Sequence, residues 1–247
     1  MKGVKVEMAK MRVDKLLANM GYGTRKDLKK FAKEGIIRVD GTVIKDLSQH
    51  VDPETNEVEF DGEIVRYREF VYLMLNKPKG VISATEDHVE RTVVDLLDPM
   101  YLPFQVFPVG RLDKDTEGLL ILTNDGKTAH ELLSPKKHVP KRYYAEVQGE
   151  VTEKDKEQFK KGVTLDDGYQ TLPAELEILQ TSQVSKIELT IFEGKFHQVK
   201  RMFESVGKKV VYLKRIKMGS LELDPQLALG ESRELTVEEL ELLKRNE

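Results

Sequence analysis

The sequence predicts an α+β protein in two parts: a small N-terminal unit, then a larger one built on a mixed, mainly antiparallel sheet with flanking helices. Three observations carry this. Residues 12–60 hold two amphipathic helices and a hairpin, a self-contained set. Beyond residue 70, apolar strand segments outnumber helices long enough to act as parallel crossovers. Residues 187–191, Ile-Glu-Leu-Thr-Ile, alternate as a strand with one core face does.

Taken in order, residues 1–10 read as an extension, either a flexible addition or the product of an upstream start codon. Residues 12–20 place Val13, Leu16, Leu17 and Met20 at helical spacing and stop at Gly21. Thr24 opens a second helix, with Asp27 as its capping-box partner. Leu28, Phe31 and Ala32 share one side of that helix; Arg25, Lys26, Lys29, Lys30 and Lys33 take the other. A hairpin follows, turning at Asp40-Gly41. The first domain therefore spans 11–58, and the charged stretch 59–70 reads as a linker. In the second domain, 71–238, strands are predicted at 71–75, 119–123, 143–147, 187–192 and 210–216. Helices are predicted at 92–97, 128–133, 152–161 and 197–206. Residues 239–247 read as a tail.

The 247 residues are 39% hydrophobic, enough for a substantial core, and no stretch approaches the ~20 apolar residues of a membrane helix. The absence of cysteine excludes disulfides, thiolate metal sites and thiol nucleophiles, and the start lacks the apolar segment of a secretory signal. A cytoplasmic protein is expected, with no membrane partner. The net charge of −3 conceals a segregation: residues 1–38 carry +7, 194–217 carry +7, and 218–247 carry −5. Two separated basic regions in a near-neutral chain fit a polyanion touched at two places, although either alone reads equally as a solvated helix face.

Several familiar chemistries lack their parts. Asp113, Asp115, Glu117 and Gly118 imitate a calcium loop, but its twelfth position is Asn124 and the intervening residues are a strand. Gly21-Tyr22-Gly23 lacks the third glycine of a dinucleotide fingerprint, and Gly207-Lys208 lacks the glycine a phosphate loop needs upstream. The five histidines show no metal-ligand spacing, so no metal is expected.

Three segments, Arg12-Val13-Asp14-Lys15-Leu16-Leu17, Thr24-Arg25 and Gly35-Ile36-Ile37-Arg38-Val39-Asp40-Gly41, resemble the S4 RNA-binding module. The most informative stretch is Gly110-Arg111-Leu112-Asp113-Lys114-Asp115-Thr116-Glu117-Gly118-Leu119. By spacing alone it reads as an ion-paired surface turn before a strand. It resembles the signature of the pseudouridine synthases of the RsuA/RluA superfamily, and Asn76-Lys77-Pro78-Lys79-Gly80 resembles their upstream motif. Lys141-Arg142-Tyr143 resembles the segment bearing their active-site tyrosine, and residues 193–202, ending His-Gln-Val-Lys-Arg-Met, resemble their last motif. The RsuA-type branch fits best because its members carry S4 domains. Residues 130–138 resemble more closely the branch acting on small-subunit (16S) ribosomal RNA. A 23S synthase and an inert S4-type ribosome-assembly factor remain the alternatives.

The resemblance implies conversion of uridine to pseudouridine in ribosomal RNA, free or in an assembling small subunit. The N1–C1′ bond breaks, the uracil turns, and C5 joins C1′; no atom is gained, so no cofactor is implied. It implies Asp113 as the essential carboxylate, acting on the ribose as a base that yields a glycal or as a nucleophile. A charged carboxylate in a water-excluding pocket needs a neighbouring cation. Lys200, at the margin of the apolar side of its helix, is the candidate, with a snorkelling lysine as the alternative. Arg201 points away, toward solvent or RNA. Strand alternation admits one of Tyr143 and Tyr144 to the pocket, and the Lys-x-Tyr pattern selects Tyr143. The target base must be extruded, and Arg111 is placed to fill its space. Lys77, Lys136, Lys137 and the helix face of Arg25, Lys29 and Lys33 are expected phosphate contacts. No long apolar seam is left over, so a monomer is expected.

Overall fold

The computed structural model describes residues 9–244, so residues 1–8 of the expected extension and 245–247 of the expected tail lie outside the described chain. The contacts divide it into a first unit, 9–71 with 98–105, and a second unit, 72–97 with 106–244.

The first unit contains β1 (Met11–Arg12), α1 (Val13–Asn19), α2 (Arg25–Glu34), β2 (Ile37–Val39), β3 (Thr42–Val43), β4 (His50–Val51), β5 (Val58–Phe60) and β6 (Glu63–Ile64). The expected capping box is present at α2: Thr24 Oγ1 accepts from the Asp27 amide, and Asp27 accepts from the Thr24 amide at 3.0 Å. Gly35, in the left-handed region, ends the helix. Leu28 and Ala32 face a core shared with Leu16, Leu17, Ile37 and Val58, which leaves the basic residues of α2 exposed. Residues 59–70 are not a linker. β5 pairs with β2, and β6 returns across Asp61-Gly62, giving the sheet order β3-β2-β5-β6. Asp40-Gly41 and Asp61-Gly62 both have positive φ at each residue, the two-residue hairpin geometry that matches strand twist. The segment 98–105 also belongs here; its Tyr101 and Phe104 are buried, and the Arg68 guanidinium lies over the Phe104 ring.

The second unit contains β7 (Tyr72–Lys77), β8 (Phe107–Pro108), β9 (Glu117–Thr123), α3 (Gly126–Leu133), β10 (Lys141–Gln148), α4 (Glu153–Lys161), β11 (Glu175–Gln180), β12 (Val184–Ile191), α5 (Gln198–Ser205), β13 (Lys209–Met218), β14 (Leu221–Glu222), β15 (Ser232–Glu234) and α6 (Val237–Lys244). Its sheet runs β11-β12-β10-β13-β9-β7-β15, with β14 on β13 and β8 on β9. The pairings are antiparallel apart from β13 with β9. The expected sheet character thus holds. All seven residues of β9 are buried, as in a strand covered on both faces. The helix expected at 92–97 is a short 3₁₀ turn, Val94–Leu96. The expected tail begins inside α6, whose Leu243 is buried in the core, while Arg233 holds Glu239 with two hydrogen bonds of 2.7 and 2.8 Å.

One glycine sets the centre of the sheet. Gly118 has φ +101° and pairs with Arg215; a Cβ there would sit 2.2 Å from the Arg215 carbonyl oxygen. The parallel pairing of β13 with β9 therefore requires a residue without a side chain. Gly118→Ala is expected to cost about 3 kcal/mol through overpacking and backbone strain, read as a lower urea midpoint. A midpoint unchanged from wild type would show that the strands separate at no cost.

Candidate active site

The turn 112–116 is held from beneath. Lys77, at the end of β7, is fully buried, and its ammonium donates to the carbonyl oxygens of Pro78 at 3.1 Å, Asp113 at 3.0 Å and Thr116 at 2.9 Å. Burial lowers its pKa to about 8 against the pull of Asp113, Asp115 and Glu117, so at neutral pH it keeps its proton. The Gly80 amide donates to the Lys114 carbonyl at 2.6 Å, and Ser83 Oγ exchanges hydrogen bonds with both the amide and carbonyl of Leu112. Lys77 is therefore not available as a phosphate contact: each of its N–H groups has a backbone partner below the turn.

Above the turn, Asp113 is partly exposed. Its carboxylate lies 3.2 Å from Lys200 Nζ and 3.6 Å from His197 Nε2. Lys200 also reaches Asp115 Oδ1 at 2.6 Å. Burial disfavours the charge on Lys200, but the hydrogen bond to Asp115 and the attraction of both carboxylates outweigh it, and its pKa is raised. Desolvation likewise pushes Asp115 up, and the Lys200 ammonium more than reverses this, holding it below the usual carboxylate value. The ammonium thus sits between two anions, charged throughout the neutral range.

The start of α5 supplies this cation in a fixed position. His197 takes a left-handed backbone conformation before the helix. The buried Gln198 accepts from the Lys195 amide at 2.8 Å and donates to Glu193 at 2.9 Å, and Glu193 in turn accepts from Tyr169 and the Leu172 amide. Arg201 is on the far side of α5, but it is not free for RNA. Its guanidinium is paired with Asp166 and Asp167, the latter at 2.7 Å. Two acids on the loop after α4, distant in sequence, neutralise it.

Asp113 and His197 border a cleft of about 730 Å³ whose wall includes Arg111, Tyr143, Leu213 and Arg215. Tyr143 is buried on the cleft side of β10, whereas Tyr144 faces away, edge-on to Tyr212. Arg111 is exposed, and among the described residues nothing pairs with its guanidinium. Lys136 and Lys137 are exposed on the turn Pro135–Lys137, next to Ser134 and Pro135 of the cleft wall. Arg25, Lys29 and Lys33 are exposed on α2 of the first unit.

Sequence reasoning did not single out four neighbours of this site. Asp115 shares Lys200; His197 approaches Asp113. Phe196 is 75% exposed, with its ring stacked on His197 at 3.8 Å. Arg215 is buried in the cleft wall. Asp115 and His197 lie inside the quoted motifs, but only the fold shows which carboxylate each faces. Among the described residues, no group of His, Asp or Glu is placed to hold a metal ion, and no helix is long and apolar enough to cross a membrane.

A profile of the RNA pseudouridylate synthases matches residues 71–205, and one of the S4 domain matches residues 11–56. The chain is 57% identical to an uncharacterized RNA pseudouridine synthase, YtzG, of Bacillus subtilis over 94% of its length and 98% of that protein. It is 39% identical to the ribosomal large subunit pseudouridine synthase B of the same organism, covering 94% of this chain and 95% of that one. It is 38% identical to the ribosomal small subunit pseudouridine synthase A of Escherichia coli, covering 93% and 98% respectively. A crystal structure of a pseudouridylate synthase superposes with a TM-score of 0.67 at 37% identity, over 94% of this chain and 99% of that one.

The Lys77 clamp is testable apart from activity. Lys77→Met removes the donor from three buried or partly buried carbonyl contacts and is expected to cost about 3 kcal/mol, read by urea unfolding. A loss below about 0.5 kcal/mol, the range of ordinary surface substitutions, would show that the ammonium does not hold the turn.

Proposed function

We propose a substrate and a division of labour for this chain, which belongs to the RsuA-type RNA pseudouridine synthases and is an enzyme that isomerises uridine to pseudouridine. The substrate is ribosomal RNA, specifically 16S RNA, met free or in an assembling small subunit in the cytoplasm. Residues 130–138 favour the small subunit. The large-subunit relative at 39% identity supports 23S RNA as the second reading. The enzyme acts as a monomer and without cofactor, since the reaction rearranges bonds within one nucleotide.

The observation that carries the mechanism is the Asp113 carboxylate at the cleft edge, 3.2 Å from the Lys200 ammonium. Lys200 sets its positive charge beside that carboxylate, in surroundings that the RNA will close to water. Asp113 then acts on the ribose, either by removing the C2′ proton or by attacking C1′, and in both routes C1′–N1 breaks. Tyr143 lays its ring against the uracil and brings its hydroxyl toward C5, where a proton must leave. Extruding the base costs a few kcal/mol. Arg111, unpaired at the cleft mouth, offsets this by stacking in the vacated space, a contact worth about 1–3 kcal/mol. Arg25, Lys29, Lys33, Lys136 and Lys137 contact phosphate, supplying affinity without reading bases.

Mapping pseudouridines in 16S and 23S RNA with and without the gene decides the substrate: loss of a 16S site supports this reading, and loss confined to 23S replaces it. Asp113→Asn is expected to abolish pseudouridine formation while RNA affinity stays within about threefold, because the carboxylate acts mainly in the transition state. Full turnover by that variant on purified RNA would remove Asp113 from the mechanism. Replacing Arg25, Lys29 and Lys33 together by Gln should reduce the slope of log affinity against log salt by about 2, for three phosphate contacts. An unchanged slope would take the α2 face out of RNA binding.

A further inference from the structure

The cleft has a cation that the reaction described above does not use. Arg215, at the centre of β13, is 2% exposed, and its side chain is among the largest fully enclosed in the protein. Its Nε donates to the Leu119 carbonyl at 2.8 Å, and its buried Nη2 has no hydrogen-bond partner among the described residues. Among the described residues no carboxylate forms an ion pair with it. A buried guanidinium with an idle donor and no counter-ion is costly to keep. Its neighbours show where it faces. Arg215 stands directly opposite Tyr143 in the β10–β13 pairing, and both side chains line the cleft beside Leu213. Lys141, two residues before Tyr143, lines the same cleft and its ammonium donates to the Val139 carbonyl, adding a second cation to this wall. The carboxylate of the site is at the edge of the cleft, and on its wall lie two cations that, among the described residues, no carboxylate pairs with.

We propose that Arg215 is a catalytic residue that receives the uracil anion released when C1′–N1 breaks. This rests on the pseudouridine synthase reading and assigns a role to a residue outside it. Whichever way Asp113 acts, the electron pair of the broken bond leaves with N1 and spreads onto O2 and O4. A guanidinium N–H directed at one of those oxygens stabilises the charge as it develops, the kind of preorganised donor that lowers a barrier most. The same donor serves both ends of the reaction. Turning uracil by half a revolution about its N3–C6 axis exchanges N1 with C5 and O2 with O4. A fixed donor that holds O2 before the turn therefore holds O4 after it. The new C5–C1′ bond then forms, the C5 proton is lost, and N1 regains a proton, so the product is an isomer and no outside reactant is needed.

The test compares uridine with 5-fluorouridine in the same ribosomal RNA transcript, because fluorine at C5 makes the departing base a weaker base that depends less on an external donor. Single-turnover loss of the target nucleoside is followed by chromatography after nuclease digestion. Arg215→Gln is expected to slow cleavage of uridine about 100-fold with KM within about threefold, and the deficit should fall below about tenfold on the fluorinated RNA. Arg215→Lys, which keeps a charge, should recover part of the rate. Because each variant is compared with itself on two substrates, partial misfolding cancels from the ratio. Equal deficits on both RNAs, or a Gln variant as fast as wild type, would overturn the assignment and leave Arg215 a packing residue. If the wild-type chain converts no uridine in either ribosomal RNA, the substrate reading and this proposal fall together; conversion by wild type with equal deficits removes Arg215 alone.

Discussion

The site depends on one ammonium placed between two carboxylates. Lys200 lies 3.2 Å from Asp113 and 2.6 Å from Asp115, and its raised pKa is the physical statement that it stays charged there. A carboxylate shielded from water with no cation beside it takes up a proton more readily, and a protonated carboxyl serves neither as base nor as nucleophile. The pair spans two segments separated by more than eighty positions, so it exists only when α5 and the turn 112–116 are both in place. The rest of the second unit can be understood as the means of fixing those two segments. Lys77 and Ser83 hold the turn from β7 and the chain after it, and the Glu193–Gln198 network sets where α5 begins.

The lysines and arginines fall into three physical classes that their side-chain type does not distinguish. Arg25, Lys29, Lys33, Lys136 and Lys137 are exposed on the surface. Lys77 and Arg201 are committed to the protein, the first to backbone carbonyls and the second to Asp166 and Asp167. Lys200 and Arg215 belong to the cleft region, the first paired with two acids and the second, among the described residues, with none. Near-zero net charge is therefore compatible with RNA binding, because what matters is which cations remain without an internal partner. The sheet explains why the third class occurs where it does. β10, β13 and β9 are consecutive neighbours, so Tyr143, Arg215 and Gly118 lie across one line of the sheet. Gly118 admits the close approach of β13 that carries Arg215 to the cleft.

Much of this was present in the residues themselves. The apolar spacing of α1 and α2, the Thr24–Asp27 cap, the Asp40-Gly41 turn and the alternation along β12 are local properties, fixed by side-chain period and backbone preference within a few residues. Tyr143 was separable from Tyr144 because a strand sends successive side chains to opposite faces. The motif order pointed to Asp113 and Lys200 together. What remained hidden was long-range pairing. Asp61-Gly62 carries the same turn chemistry as Asp40-Gly41, yet the charge around it concealed two short strands whose stability comes from β2. The tail concealed α6, anchored by Leu243 and by the Arg233–Glu239 pair. Lys77 and Arg201 looked like surface cations because nothing near them in sequence shows the carbonyls of Asp113 and Thr116, or two aspartates, arriving from elsewhere. Burial of a charge is a property of the assembled fold: the partners that decide whether a cation is free, neutralised or left waiting come from segments that only folding brings within hydrogen-bond distance.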